Sequence, residues 1–349
     1  MSARLLILDT TLRGYKRSPI EAMSPQEKLV VARQIEKLGA DGIEAGFPAR
    51  SVGDEEGVRL VAKQIKTARV VARARAVLED IEAAWIAVEQ AHLPGIHTFI
   101  PTSDILLTRK VNMSRDQVIE YTARAVSMAR SFSDWVQFSF EDATRTDVRF
   151  MCEVIQTAVD AGAGTINLID SRGYAYPDQM DRLVKYVRSS VAGINDVIIS
   201  VNCHDHLGLA VANSVAAARA GARQVECALN GIGERAGNAA LEQIAMILKI
   251  REKAFQLQTG IVEEEIPRAS RLISTITGIP LQPSKAPAGA AAVTPGSGEH
   301  ANRNADAKNA DSIMSPVSAG VDHSSPLLSE HSGRSTFEER AILLGYQLT

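Results

Sequence analysis

The sequence predicts an α/β fold, a (β/α)8 TIM barrel followed by a linker and a short helical C-terminal piece. Three observations predict it. Short apolar, β-branched runs recur eight times, at 5–9, 42–46, 69–74, 96–100, 136–140, 165–170, 197–201 and 224–229. Amphipathic segments of helical length alternate with them, at 25–38, 54–65, 81–92, 115–130, 147–161, 177–191, 209–220 and 238–253. Strands that read as continuous apolar runs between helices belong to a parallel sheet covered on its faces. The third observation is the turn after the first run, DTTLRGYKRSP, which holds one glycine. A doubly wound open sheet, the competing arrangement, usually carries a glycine-rich turn there.

Helix starts agree with this layout. Ser24-Pro25-Gln26-Glu27 places a capping hydroxyl, a proline at the first helical position and a glutamate at the third. Ser51-Val52-Gly53-Asp54 opens the second helix in the same polar manner. Near 281 the texture changes to a stretch rich in Ala, Gly, Pro, Ser and Asn without sustained period, which reads as a mobile linker. The expected domains are a catalytic barrel over 1–270, a linker over 271–334 and a C-terminal piece over 335–349.

Composition narrows the function. A formal net charge of -3 gives no general attraction to nucleic acid or to an anionic membrane, so the expected partner is a small molecule. Cys152, Cys203 and Cys227 are an odd, sparse set without a CxxC, which suits buried thiols in a reducing compartment. The apolar run at the N-terminus is about five residues, too short for a signal peptide or a membrane span. A soluble, cytoplasmic protein is expected.

In such a barrel, chemistry sits at the carboxyl ends of the strands. Those ends bear Asp9 and Arg13, Glu44, Arg75, His97, Glu141, Asp170, His204 with His206, and Asn230 followed by Glu234 and Asn238. Any one of them is as readily a partner for a helix cap; their convergence on one mouth points to a site. Asn202, His204 and His206 are spaced two apart and share a face if the strand continues that far. The H-x-H pair fits a divalent metal, and equally two hydrogen-bonded histidines at a helix start. The segment NGIGERAGN places Gly231, Gly233, Glu234 and Gly237 before the last helix, where backbone N–H groups can meet an anionic cofactor group.

The runs ILDTTLR, EKLVVARQIEKLGADGIEAGFPA, RAVLEDIEAAW, IHTFIPTSDI, FSFEDATRTD, HLGLAVANSVAAARAGARQVECALNGIGERAGNAALEQ and GIPLQPSKA resemble the 2-isopropylmalate synthase family, with homocitrate and citramalate synthases close by. The resemblance covers about residues 4–286 and resumes at SIMSP and HSGRSTFEERAILLGY. It implies an acyltransferase of amino-acid biosynthesis that condenses acetyl-CoA with a 2-keto acid. It further implies a homodimer, and a divalent cation (Mg, Mn or Zn) that chelates the keto acid and polarises its carbonyl. The chain stops at Thr349, so the family's leucine-sensing domain is expected to be absent.

Carried over position by position, the resemblance assigns catalysis to Arg13, Glu141 and His300, and substrate contacts to His97, Ser103, Arg75 and Ser171. Of the four metal ligands it implies, His204 and Asn238 are present; the other two positions hold Gly14 and Asn202. His206 is a further candidate ligand. The family's LRDGEQ reads Leu12-Arg13-Gly14-Tyr15-Lys16-Arg17, a gain of four positive charges that disfavours a cation at short range. Lys16, Arg17 and Arg172 are candidates to clamp a carboxylate instead. The family's HESGIH reads Pro295-Gly296-Ser297-Gly298-Glu299-His300, and its partnering Tyr falls at Asp311. Two functions follow: a synthase with altered substrate or mechanism, or a non-catalytic paralogue that binds a keto acid or CoA or pairs with an active synthase.

Overall fold

Eight strands hydrogen-bond in chain order and close into a barrel. They are β1 (Leu6–Asp9), β2 (Gly42–Gly46), β3 (Arg69–Arg75), β4 (Pro94–Pro101), β5 (Val136–Glu141), β6 (Thr165–Asp170), β7 (Ile198–Cys203) and β8 (Gln224–Cys227). Every pair is parallel, and β8 returns to β1 with Leu6 opposite Gln224 and Asp9 opposite Cys227. The computed structural model describes residues 2–14, 20, 22–282, 285–287, 338 and 341–342. Lys16, Arg17, His300, Asp311 and most of the 271–334 linker and 335–349 piece lie outside the described residues.

Each strand is followed by a helix that covers it: α1 (Pro25–Leu38), α2 (Val52–Gln64), α3 (Leu78–Val88), α4 (Arg115–Phe132), α5 (Val148–Asp160), α6 (Pro177–Ser190), α7 (Ala210–Ala220) and α8 (Leu241–Ile250). The capping box at Ser24 forms as read, with Ser24 Oγ accepting from Glu27 N and Glu27 accepting from Ser24 N. Ser51 caps α2 through Asp54 N. A ninth helix, α9 (Ile266–Thr277), runs past residue 270 and packs on α1, with Gln34 Nε2 donating to Glu265 Oε2 at 2.6 Å. Among the described residues no helix is long and apolar enough to cross a membrane.

Strand periodicity sorts the side chains into two layers. Val70, Ala72, Phe138, Phe140, Ile166, Leu168, Ile199, Val201, Val225 and Cys227 are buried in the main hydrophobic core. The alternate positions hold Glu44, His97, Gln137, Ser139, Asn167, Ser200, Asn202, Gln224 and Glu226, all buried as well. Such barrels are usually filled by bulky apolar side chains. Here a polar layer fills the interior, and the functional site stands on it.

A candidate active site at the barrel mouth

The floor of the site is one hydrogen-bonded cluster centred on Arg13. Its Nε and Nη2 donate to Glu44 at 2.5 and 2.6 Å, Nη2 also donates to Glu226, and Nη1 donates to Asn202 Oδ1 at 3.1 Å. His97 Nδ1 lies 2.7 Å from Glu44 Oε2, and its Nε2 lies 2.5 Å from Ser139 Oγ. Gln137 and Asn167 each donate to Glu226 Oε1. Burial alone would raise the Glu44 pKa, but Arg13 and then His97 outweigh it and hold Glu44 well below the usual carboxylate range. Burial likewise works against the Arg13 charge, and Glu226 and Glu44 more than restore it. An ion pair this buried is held by complete hydrogen bonding rather than by charge alone.

Above this floor a cavity of about 200 Å³ is lined by Arg13, Gly14, Arg73, Phe99, Lys110, Glu141, Ser171, Asn202, His204, Gly233, Glu234, Arg235 and Asn238. That is smaller than the pockets that enclose drug-sized ligands and suits a small acid. Three buried atoms at this mouth lack hydrogen-bond partners among the described residues: Arg73 Nε, His204 Nδ1 and Asn238 Oδ1. The backbones of His204 and Asn238 bridge each other, which holds both side chains at the end of β7. Burial, then the charges of Arg235, Arg13, His206 and Arg73, push the His204 pKa down to about 3, so its ring is neutral at physiological pH.

The structure brings some predicted residues together and redirects others. Arg13, Glu141, Ser171, His204, Asn238, Gly233 and Glu234 line the cavity, with Gly14 and Asn202. Arg75 does not: it turns outward to Asp80 in the first turn of α3, with bonds of 2.6 and 2.8 Å, and is exposed. Arg73, two residues earlier, takes the inward place. His97 is wholly buried beneath the cavity as part of its floor. Ser103 donates to Asp142 Oδ2 at 2.5 Å inside the β5 loop and does not reach the cavity. Arg172 and His206 are exposed and stand off it; for His206 this is because β7 ends at Cys203 and the chain turns at Asp205, with Gly208 N donating to Asp205 O. His206 keeps a stacked contact with His204, ring centroids 6.1 Å apart. Gly231 and Gly237 serve the loop's own folding: Gly237 has φ +91, and a Cβ there would lie 2.1 Å from Gly231 O. Asp9 and Asp170 turn away from the mouth, Asp9 to Thr11 and Asp170 to the backbone of Tyr174 and Ala175.

Sequence reading missed Arg73, Glu226, Gln137, Asn167 and Arg235. The first four stand in step of two with residues it did single out, so the strand period was the available signal. Arg235 carried none: it sits at φ +58 and reaches across to Ser171 O at 2.7 Å, a contact between distant loops.

Glu44, His97 and Glu226 are three potential metal ligands with donor atoms within 4.8 Å of one another. All three are already bonded, to Arg13, Ser139, Gln137 and Asn167. His204 and Asn238 do have partner-free atoms, yet both are neutral donors. Opposite them Gly14 has no side chain, and the Asn202 oxygen is occupied by Arg13. Glu141 and Glu234 are held by Lys110 and Arg235. The same cations that suppress protonation of His204 oppose a dication at its ring. The described residues at the mouth do not fit the divalent cation that the family uses.

Comparison with known proteins places the chain. Residues 4–273 match the HMGL-like family. The 2-isopropylmalate synthase of Carboxydothermus hydrogenoformans is 48% identical over 99% of this chain and 68% of that protein. The 2-isopropylmalate synthase of Pelotomaculum thermopropionicum is 46% identical over 100% of this chain and 69% of that protein. Among solved structures, hydroxymethylglutaryl-CoA lyase from Pseudomonas aeruginosa superimposes with a TM-score of 0.67 at 19% identity, over 80% of this chain and 95% of that one, a likeness of fold. Match length and identity together show that this chain belongs to the HMGL-like family and, within it, to the 2-isopropylmalate synthase family.

Proposed function

We propose that this protein joins the methyl carbon of acetyl-CoA to the carbonyl carbon of a small 2-keto acid and releases CoA. The acetyl methyl loses a proton and its carbon bonds to the keto carbon. The former carbonyl oxygen gains a proton, and water cleaves the thioester, leaving a 2-hydroxy diacid. The cavity carries this reading: a small space at the carboxyl ends of the strands, lined by charged and polar side chains beside Phe47, Phe99 and Ile169, in a chain that matches 2-isopropylmalate synthases along nearly all its length.

Arg13, Glu141 and His300 are the proposed catalytic residues. Hydrogen bonds from all three Arg13 nitrogens fix it to the floor, so it acts on the bound carbonyl as a preorganised positive field at the cavity wall. Glu141 sits at the rim with both oxygens 2.7 Å from Lys110 Nζ and serves as base when that pair parts. Neutral His204, Asn238 and Ser171 orient the acid. No step is assigned to a metal.

Release of free thiol from acetyl-CoA, with a panel of 2-keto acids, tests the reading. CoA release that requires one of the keto acids, and yields the hydroxy diacid by mass spectrometry, is expected. Absence of release with every acid, both with added divalent metal and with chelator, overturns it in favour of a ligand-binding paralogue.

A further inference from the structure

The cations around the cavity fall into two groups. Among the described residues, Arg13, Arg235, Lys110 and Arg50 are each paired with a carboxylate, of Glu44 and Glu226, Glu234, Glu141 and Asp54 respectively. Arg73 is tied to none. Among the described residues it has neither an ion pair nor a hydrogen bond, and its Nε is shielded from water. It extends from β3 into the cavity and lies against Phe99, 4.1 Å from the ring centroid. That stacking holds the guanidinium plane in place before any ligand arrives. Burial and the neighbouring charge of Arg13 work against its charge, and Glu44, Glu226 and Glu141 favour it through space without taking its N–H groups.

A half-buried guanidinium with idle donors is costly unless something completes it. A carboxylate does so with two parallel hydrogen bonds. The two other partner-free atoms at this mouth are His204 Nδ1 and Asn238 Oδ1. A 2-keto acid presents one anionic group beside a keto oxygen, an acceptor that His204 Nδ1–H can serve and that Asn238 Oδ1, itself an acceptor, cannot. The positions where the family holds a dication are emptied at Gly14 and occupied by an Arg13 contact at Asn202.

We propose that Arg73 receives the carboxylate of the small acid at the barrel mouth, so that this protein binds its acid without a divalent metal. The inference rests on the reading of the mouth as an acid site, and binding can be measured apart from turnover. The assay is calorimetric titration of the full chain with pyruvate and with 3-methyl-2-oxobutanoate, in chelator and again with Mg or Mn. Binding in chelator is expected, unchanged by metal. Arg73→Gln should weaken it at least tenfold and Arg73→Lys less, because an ammonium keeps the charge and loses the planar fork. Melting temperature and far-UV circular dichroism of both variants should match the parent, since Arg73 makes no hydrogen bond within the described residues. Binding that appears only with metal overturns the proposal. So does undiminished binding by Arg73→Gln, or no binding of either acid under any condition. If the acids bind through Arg73 but CoA is never released, the synthase reading fails and this inference stands.

Discussion

Arg73 and Arg75 lie on the same strand and have opposite fates, because Asp80 stands at the start of α3, within reach of the outer one only. A comparable local decision governs two buried acids behind the site. Glu242 on α8 accepts one bond from Asn230 N, leaves Oε1 without a partner, and is pushed by burial to a pKa of about 7. Asp9 is raised to about 7 as well, first by burial, with Glu242 adding to the effect. A carboxyl whose folded pKa is raised holds a proton that the unfolded chain releases above about pH 4. Stability from these groups is therefore greatest below that pH and is lost as pH rises toward 7. His204 acts in the opposite sense: its depressed pKa removes stability as pH falls below about 6.5. Glu242→Gln should flatten the wild-type decline in melting temperature between pH 5 and pH 8, and leave the variant at least as stable at pH 8. Equal slopes for the two proteins would count against this account of Glu242.

At the scale of elements, a charge pair locks α1 to α2. Lys28 of α1 passes between β2 and α2 and donates to Asp54 in the first turn of α2, both side chains being buried. Gly57 makes the passage: a Cβ there would lie 2.9 Å from Lys28 Cδ. Arg50 lies 3.6 Å from the other Asp54 oxygen and gives partial compensation. Lys28→Met should cost about 3 kcal/mol, the low end for breaking one side of a buried pair, read as a shift in urea midpoint at constant m-value. The strands show the same interplay of pattern and packing. Their apolar positions were legible as eight runs, whereas the polar residues between them passed as isolated strand-end groups. Period two would have collected Glu44, Gln137, Ser139, Asn167, Asn202, Gln224 and Glu226 into one inner layer.

For the whole molecule, closure of the barrel and formation of the site are one event. Arg13 follows β1 and is bonded to β2, β7 and β8, so it joins the first strand to the last. Arg13→Met leaves Glu44 and Glu226 buried without their cation and should destabilise the fold by about 3–5 kcal/mol. Adding Glu44→Gln and Glu226→Gln should recover most of that loss, because the remaining groups are neutral. Chemical denaturation of the single and triple variants measures both. A triple variant no more stable than the single one would show that the cluster acts by shape rather than by charge.

The sequence by itself determined the repeat, the caps at Ser24 and Ser51, and the family. These depend on local period, local hydrogen bonding and long matching runs, all carried by neighbours along the chain. Only the tertiary structure decided that His97 belongs to the floor, that Arg73 rather than Arg75 faces the cavity, and that Arg13 is bonded to Glu44, Asn202 and Glu226. It also decided that Arg235 closes the rim and that His206 stands aside. The outcomes at Arg13 and His97 depend on which charge lies within about 3 Å of which other across the barrel. That distance is set by closure of β8 on β1, over a separation of more than two hundred residues.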